Sequence, residues 1–438
     1  MLKLALATVW KSPTSPRQED IPLTGCPVPI QCQRMGKTPL EKKLQGLDGR
    51  WIAGGLVAGH FLFFLLVHTT THLAYPRLWY LTGIQAMPAP FGDLGAIADG
   101  SEVYRTTGST AGAPGALFNY PHCWLYAGYL GLNKSTLPIF GMAIAVCFYA
   151  ATLFVLGKLT WFEGCLATLV LLSPSVLLGV ERGNIDLVIF VLLALAVYFY
   201  RSPPVSVLII VAASLLKIFP AFGLLAPLAR PWRKSLPWIG LAAGFLLTYF
   251  VLDLRELRWI SSATPHSSRL SFGACAIFIG LFSPTSHEMK PALFIMADLF
   301  LTIVVLLAIW QRPRLTTVAH RPAWEREEFA FKLGAGLYLG IFALGTNWDY
   351  RMAMLIFCLP LLFRYRQLDS ALRIWANTAL VLMLVYMNWF RFSQETELRE
   401  LVVEQALSWG LLVCLTGILA TQWLPPRGSV PLRSAVQS

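Results

Sequence analysis

The sequence predicts an all-α polytopic membrane protein, and two features of its composition favour this class. Of the 438 residues, 56% are hydrophobic and only 13% carry a charge, whereas about a quarter of the residues in an ordinary soluble domain are charged. The 33 glycines and 28 prolines are typical of membrane helices that are broken or closely packed. These values exclude the disordered and fibrous classes and disfavour a soluble enzyme.

Apolar segments of about the length that crosses a bilayer, roughly 20 residues, recur along the chain. They cover residues 51–68, 137–157, 162–180, 185–200, 236–253, 291–310, 330–346, 352–364, 370–389 and 404–423. Together with a broken pair of half-helices, they predict about 10–12 transmembrane helices. The chain is thus divided into an N-terminal tail of residues 1–50, a membrane domain of residues 51–424 and a C-terminal tail of residues 425–438. Met35 is an alternative start within the first tail.

The broken pair lies in residues 205–229, an apolar segment with Lys217 and Pro220 in its middle. Proline removes a helix hydrogen bond and kinks the chain, so we expect a hairpin that turns at residues 217–220, the one clear break in the pattern. The hairpin keeps most basic loops on one side, as the positive-inside rule prefers. We therefore expect both termini in the cytoplasm and a large first extracytoplasmic loop, residues 69–136.

The first outer loop holds a candidate for chemistry. Asp93 precedes a run of helix-compatible residues, and Asp99 with Gly100 predicts the end of that helix. Two interpretations of Asp93 remain open, a helix N-cap and a general base at the membrane surface. Asp99 and Glu102 are alternative bases in the same loop.

Two further candidate regions lie between and within the apolar segments. Two interpretations of the tight turn that holds Arg182 and Asn184 remain open. In one, Asp186 caps the next helix and faces Arg182. In the other, Arg182 and Asn184 lie at the rim of an outward-facing cavity. Lys217 is unusual because a lysine in an apolar stretch generally faces a cavity or a partner. It either binds a phosphate anion or extends to the membrane interface.

A second polar turn, residues 347–351, lies between apolar segments late in the chain. Arg351 suits bidentate recognition of phosphate, while Trp348 and Tyr350 suit either a sugar ring or the aromatic belt of the interface. The sequence has no nucleotide-binding glycine loop and no zinc-type cysteine spacing. We therefore expect neither a cofactor nor a metal.

Taken together, these motifs resemble the GT-C superfamily of integral-membrane glycosyltransferases. The shared set comprises an early aspartate and a Phe-Asn-Tyr-Pro element in a large outer loop, a Glu-Arg-Gly-Asn-Ile-Asp turn, a Lys-x-x-Pro break and a late Asn-Trp-Asp-Tyr-Arg turn. The resemblance spans residues 50–425 and is closest to glycosyltransferase family 87, which includes mycobacterial phosphatidylinositol-mannoside mannosyltransferases. It implies a GT-C-like fold and transfer of a hexose or pentose, with mannose favoured, from a polyprenyl-phosphate sugar to a lipid or glycan acceptor.

The resemblance also implies roles for residues at matching positions. Asp93 is similar to the catalytic base of the superfamily, and Lys217 matches the lysine that meets the donor phosphate. Arg351 and Arg182 fall on the same predicted face and complete the expected contacts to the donor phosphate or lipid. The expected substrate-binding residues are Asn184, Tyr120, Asn347, Asp349 and Tyr350.

The sequence departs from the family pattern at two places. His122 follows Tyr120 and Pro121 where a second proline is frequent, and residues 347–351 lack the histidine of a Trp-His pattern. The expected partners are membrane lipids, the lipid-linked donor and the acceptor, without nucleic acid. A secondary transporter, which also uses broken helices and buried charges, and a non-catalytic envelope scaffold are the alternatives.

Overall fold

The computed structural model describes most of the chain between residues 47 and 424. The described ranges are 47–84, 86–108, 118, 120–228, 234–263, 271–282, 291–313, 322–368, 370–389 and 398–424. All of them belong to one unit that begins at Leu44. Of the predicted tails, residues 1–46 and 425–438 lie outside the described residues.

Helices account for almost all of the described secondary structure. The first part of the chain contains α1 (Gly49–Thr71), α2 (Tyr75–Tyr80), α3 (Gly92–Thr107) and the 3-10 helix His122–Leu130. The middle part contains α4 (Leu137–Leu156), α5 (Trp161–Leu171), α6 (Pro174–Arg182), α7 (Asp186–Tyr198), α8 (Pro203–Leu216), the 3-10 helix Phe219–Leu225, α9 (Leu236–Leu252) and α10 (Leu254–Ala263). The last part contains β1 (Ser271–Phe272), α11 (Ala276–Phe282), α12 (Pro291–Gln311), the 3-10 helix Pro322–Trp324, α13 (Glu325–Ala343), β2 (Asn347–Trp348), the 3-10 helix Asp349–Cys358, α14 (Leu359–Arg366), α15 (Ala371–Met387) and α16 (Leu398–Trp423).

Several of these helices can cross a membrane. Among the described residues, α1, α4, α12 and α16 are long and apolar enough to do so, and α5 with α6 adds a fifth span if the bent pair is counted as one. The helices α7, α8, α9 and α15 are apolar but shorter, with 13 to 17 residues each. The fold is that expected of an all-α membrane-embedded protein, although fewer helices are long enough to span than the 10–12 of the sequence prediction.

The helix α13 lies in the core of the described unit. Nearly every side chain from Phe329 to Phe342 is buried, and α13 packs against α16 and against the 3-10 helices Phe219–Leu225 and Asp349–Cys358. The ring of Phe222 occupies the space that a Cβ at Gly340 would take. Close packing onto α13 therefore holds the two 3-10 helices near one another.

The predicted break at residues 217–220 is confirmed. Helix α8 ends at Leu216, and Lys217 is extended with φ −165° and ψ 141°. The chain then folds back onto α8. This is seen at Gly223, where a Cβ would lie 3.6 Å from the Cγ2 atom of Ile210 on α8. The indole of Trp124 in the first large loop donates to the carbonyl of Leu216 over 3.0 Å, which satisfies a carbonyl at the helix end.

A second break divides residues 162–180, which the sequence pattern predicts as one continuous span. Helices α5 and α6 meet at an angle of 54°. Ser173 caps α6 by accepting a hydrogen bond from the N–H of Val176 over 3.4 Å, and Pro174 is the first residue of that helix. Proline is tolerated at this position but cannot continue a preceding helix, so the prediction of a single break is wrong.

The helix of the first loop is also longer than predicted. It continues through Asp99 and Gly100 as part of α3 and ends at Gly108, which has a φ of 66°. Gly100 is required for packing instead, since a Cβ there would lie 2.6 Å from the Cδ2 atom of Phe118. The turn predicted at Asp99 and Gly100 is therefore wrong.

Candidate active site

The backbone of Phe91 sets where α3 begins and so positions Asp93 in its first turn. Phe91 has φ 57° and ψ 43°, a left-handed conformation that costs a residue with a side chain about 1–2 kcal/mol. Its ring packs against Gly141 and Gly183, which carry no Cβ, and its N–H donates to the carbonyl of Glu181 over 2.9 Å. These contacts fix the start of α3 against α4 and the end of α6.

The carboxylate of Asp93 faces the turn between α6 and α7 and does not cap its own helix. Its Oδ2 atom accepts a hydrogen bond from Nδ2 of Asn184 over 2.5 Å, and its Oδ1 atom lies 3.8 Å from Nη1 of Arg182. Burial raises the pKa of Asp93 above its ordinary value, while the positive charge of Arg182 and the hydrogen bond from Asn184 act in the opposite direction. A raised pKa makes a carboxylate a better general base.

Lys217 and Arg351 converge on the carboxylate of Asp186, the first residue of α7. The Nζ atom of Lys217 lies 2.5 Å from Oδ1, and the Nε atom of Arg351 lies 3.4 Å from Oδ2. The expectation that Asp186 faces Arg182 is therefore wrong, and its functional context was missed. A signal was present in the sequence, because a lysine within an apolar segment needs a partner.

Asn184 joins the Asp93 side of this cluster to the cation side. The Oδ1 atom of its amide accepts a hydrogen bond from the backbone N–H of Asp186 over 2.9 Å, while Nδ2 donates to Asp93. The turn is tight because Gly183 adopts a left-handed conformation with φ 58°. The result is a continuous chain of contacts from Asp93 through Asn184 and Asp186 to Lys217 and Arg351.

Aromatic rings lie close to two cations of the cluster, Lys217 and Arg182. The Nζ atom of Lys217 lies 5.7 Å from the ring centre of Tyr120 and 6.0 Å from that of Tyr350. The guanidinium of Arg182 lies 5.4 Å from the ring of Trp348. Such contacts favour the charged form of a cation and give the site flat walls.

Asn347 supports Arg351. Its Oδ1 atom accepts a hydrogen bond from Nη1 of Arg351, and its Nδ2 donates to the carbonyl of Ile341 over 2.5 Å. The guanidinium of Arg351 also lies 5.5 Å from the ring of Phe219. Pairing of Asn347 with Phe272 in the β1–β2 ladder fixes the backbone of this turn.

Three other acidic candidates lie outside the cluster. Asp349 is fully buried and accepts a hydrogen bond from the hydroxyl of Tyr386 on α15 over 3.4 Å. Asp99 and Glu102 lie further along α3 and are about half exposed, in ion pairs with Lys134 and Arg105. None of the three faces the cations that surround Asp186.

Glu181 is a second residue whose importance the sequence does not show. Its Oε1 atom accepts hydrogen bonds from the N–H of Met87 over 3.0 Å and from the hydroxyl of Tyr75 over 3.2 Å. It therefore organises the chain segment that leads into α3. The sequence gives no clear signal for this role, because Glu181 stands next to Arg182 at a polar turn.

The cluster combines three cations with two carboxylates and is mostly but not completely buried. Arg182, Lys217, Arg351 and Asp93 each keep 15–16% of the side chain exposed, whereas Asp186 keeps 1%. The partly exposed members combine a carboxylate with a net positive charge, which suits an anionic substrate with a nearby hydroxyl. Among the described residues, no three histidine, cysteine or acidic side chains are placed to hold a metal ion.

A comparison of the chain with known proteins finds no matching family model, no matching curated protein and no matching solved structure.

Proposed function

We propose that this protein is an inverting membrane glycosyltransferase. It moves a hexose or pentose, with mannose favoured, from a polyprenyl-phosphate sugar to a lipid or glycan acceptor. One observation carries the proposal, namely the chain of contacts that links the carboxylate of Asp93, through Asn184 and Asp186, to the cations Lys217 and Arg351. Such a pairing of a base with phosphate-binding cations is what transfer from a sugar phosphate requires.

The proposed step is a single displacement at the anomeric carbon. The acceptor hydroxyl gives its proton to Asp93, and its oxygen forms a bond to the anomeric carbon as the bond from that carbon to the phosphate oxygen breaks. The polyprenyl phosphate leaves with the electron pair of the broken bond. Lys217 and Arg351 stabilise the charge that develops on the leaving phosphate, and Arg182 adds positive charge close to Asp93.

The surroundings of the site support a lipid-linked donor. Lys217 follows directly on the apolar helix α8, and Asp186 begins the apolar helix α7. A lipid phosphate can therefore approach the cations while its prenyl chain stays in the bilayer. The sugar is already activated as a phosphodiester, so no nucleotide site is required. The GT-C-like motifs of the sequence support the same donor class and favour mannose.

We also propose that the site faces the extracytoplasmic side of a bacterial plasma membrane, with both termini in the cytoplasm. The distribution of basic residues between the loops supports this orientation. Single cysteines introduced at the exposed Glu102 and at Arg366, in a protein whose native cysteines are replaced by serine, are expected to label from opposite sides of sealed vesicles. Labelling of both from the same side would contradict the orientation.

Transfer can be tested with the purified full-length protein in lipid vesicles. The donor is a synthetic polyprenyl-phosphate mannose with a radiolabelled sugar, and a bacterial membrane-lipid extract supplies acceptors. Replacing Asp93→Asn is expected to lower transfer by about 100- to 10,000-fold, the usual contribution of a general base, while Asp99→Asn keeps wild-type transfer. Full activity of the Asp93→Asn protein would overturn the assignment of the base.

A secondary transporter is the second candidate, because the structure contains two broken segments, at residues 172–173 and at Lys217. Broken helices form substrate sites in many transporters. Uptake of a labelled solute into vesicles that contain only this protein, with no transfer of sugar from any polyprenyl-phosphate donor, would favour this candidate over the enzyme.

A further inference from the structure

Asp186 contacts two cations of the site at once. Its two carboxylate oxygens approach two cations from distant parts of the sequence, Lys217 at the end of α8 and Arg351 in the 3-10 helix Asp349–Cys358. Two cations brought this close together repel each other unless an anion lies between them. Asp186 supplies that anion, so the spacing of Lys217 and Arg351 depends on it.

Burial shows on which side of the cations Asp186 lies. Its side chain is only 1% exposed, whereas those of Lys217 and Arg351 are each 15% exposed. The carboxylate therefore contacts the cations from the interior, and their exposed parts remain available to a ligand. A phosphate can accept hydrogen bonds from the remaining N–H groups of the Lys217 ammonium and from Nη2 of Arg351.

The backbone of Asp186 connects this arrangement to Asp93. Its N–H donates to the amide of Asn184 over 2.9 Å, and that amide donates to Asp93 over 2.5 Å. Since Asp186 is the first residue of α7, the helix start fixes both the carboxylate and the N–H at once. Asp186 thus contacts the two cations through its side chain and Asn184, the partner of Asp93, through its backbone.

We propose that Asp186 is a positioning residue that holds Lys217 and Arg351 side by side toward the donor phosphate and sets their distance from Asp93. This inference rests on the proposed glycosyl transfer and deepens it. Asp186 touches neither sugar nor phosphate and acts through the two cations. Its loss is therefore expected to weaken donor binding more than it changes the proton transfer to Asp93.

The test uses the full-length protein in lipid vesicles with two readouts. The first is the binding of a short-chain polyprenyl monophosphate, followed by tryptophan fluorescence. The second is the kcat and KM of transfer from polyprenyl-phosphate mannose. Asp186→Asn keeps the shape of the side chain but removes its charge, and we expect about 100-fold weaker binding and a similar rise in donor KM, because an uncompensated buried cation pair remains.

Two further variants separate positioning from a general loss of structure. Asp186→Glu retains the charge and is expected to recover about a tenth or more of the wild-type affinity, with a donor KM several-fold above the wild-type value. The double variant Asp186→Asn with Lys217→Met is expected to lose less affinity than the sum of the two single losses, because both changes disrupt the contact between Lys217 and Asp186. Asp99→Asn serves as the matched control at an exposed ion pair.

The outcomes are distinguishable. If the wild-type protein binds and transfers, and Asp186→Asn does so equally well, the positioning role is overturned while the proposed function stands. If Asp186→Asn fails to fold, Asp186→Glu decides, and an unchanged donor KM in that variant overturns the role. If the wild-type protein neither binds the phosphate nor transfers sugar, the proposed function fails and the inference fails with it.

Discussion

The amide of Asn184 donates a hydrogen bond to the carboxylate of Asp93 over 2.5 Å. It connects the turn between two apolar helices to a helix of the first large loop. Arg182, two residues before Asn184, lies 3.8 Å from the other oxygen of the same carboxylate. The turn therefore controls both the orientation of Asp93 and the charge around it.

The charge of Arg182 predicts a shift in the pH dependence of transfer. Burial raises the pKa of Asp93, and Arg182 partly offsets this effect. A general base acts only when deprotonated, so activity is lost as the pH falls through the pKa of Asp93. Arg182→Met removes the charge that lowers the pKa of Asp93. The acid limb of the pH profile of kcat is therefore expected to move to higher pH. Arg182→Lys is the control, and a limb that stays in place in Arg182→Met would contradict the coupling.

Asp349 is expected to be dispensable for transfer, although its neighbours in the sequence on both sides belong to the site. Its carboxylate is buried against Tyr386 and away from the cations. An asparagine can accept the same hydrogen bond, so Asp349→Asn is expected to keep kcat/KM within about threefold of the wild-type value. Steady-state kinetics on folded protein measure this. A 100-fold loss would return Asp349 to the substrate-binding residues.

The contact between Phe91 and Gly141 offers a test that leaves every polar residue unchanged. A Cβ at Gly141 would lie 2.5 Å from Cγ of Phe91, so Gly141→Ala must displace the ring of Phe91. We expect the start of α3, and with it Asp93, to shift. We expect transfer to fall about 10- to 100-fold, because small displacements of a catalytic group have effects of this size.

The matched control for this substitution is Gly240→Ala in α9. A Cβ at that position meets nothing within 4 Å, so it is expected to leave transfer unchanged. Equal activity of the two alanine variants would show that the placement of Phe91 does not govern Asp93.

Asp48 is expected to affect stability and not transfer. It caps α1, its carboxylate accepts hydrogen bonds from Nε and Nη2 of Arg50 over 2.9 and 2.6 Å, and it also accepts one from the N–H of Leu159 over 3.3 Å. Asp48→Ala is expected to cost about 1 kcal/mol, the usual value of an N-cap. Thermal unfolding in detergent measures the loss, and Asp48→Ser is the control that retains a capping oxygen.

The same aspartate predicts the sign of one acid effect. Hydrogen bonding to Arg50 lowers the pKa of Asp48 from 3.8 to about 2. A carboxyl whose pKa is lower in the folded state stabilises the protein above its unfolded pKa, and this contribution disappears as the pH falls toward 2. The wild-type protein and Asp48→Ala are therefore expected to converge in stability at low pH. A difference that persists well below pH 2 would argue that the cap acts without its charge.

The positions of the helices could be predicted wherever an apolar run was interrupted by a charge or a turn. Lys217 and Pro220 marked one break clearly, because a charged residue and a proline together are incompatible with a plain apolar helix. The break at Ser173 and Pro174 was missed because apolar residues flank it on both sides. A proline at a helix start leaves no signal in hydropathy alone.

The site was predictable to a different degree at each residue. Asp93, Lys217 and Arg351 stood out because a chain with few charges leaves few candidates. Their joint contact with Asp186 could not be predicted, since it depends on how α7, α8 and the 3-10 helix Asp349–Cys358 pack. Asp349 shows the same limit, because the sequence of a turn does not tell which of its side chains face inward.

The hydrogen bond from Trp124 to the carbonyl of Leu216 makes the first large loop and the membrane helices depend on each other. The first large loop satisfies a polar group at the end of a broken apolar helix, and the carbonyl of Glu181 in turn accepts from Phe91 of that loop. Loop and membrane helices thus supply each other's missing hydrogen-bond partners. A loop excised as a soluble fragment, or exchanged for that of another protein, would lose these partners, so the two parts are expected to fold and to evolve as one piece.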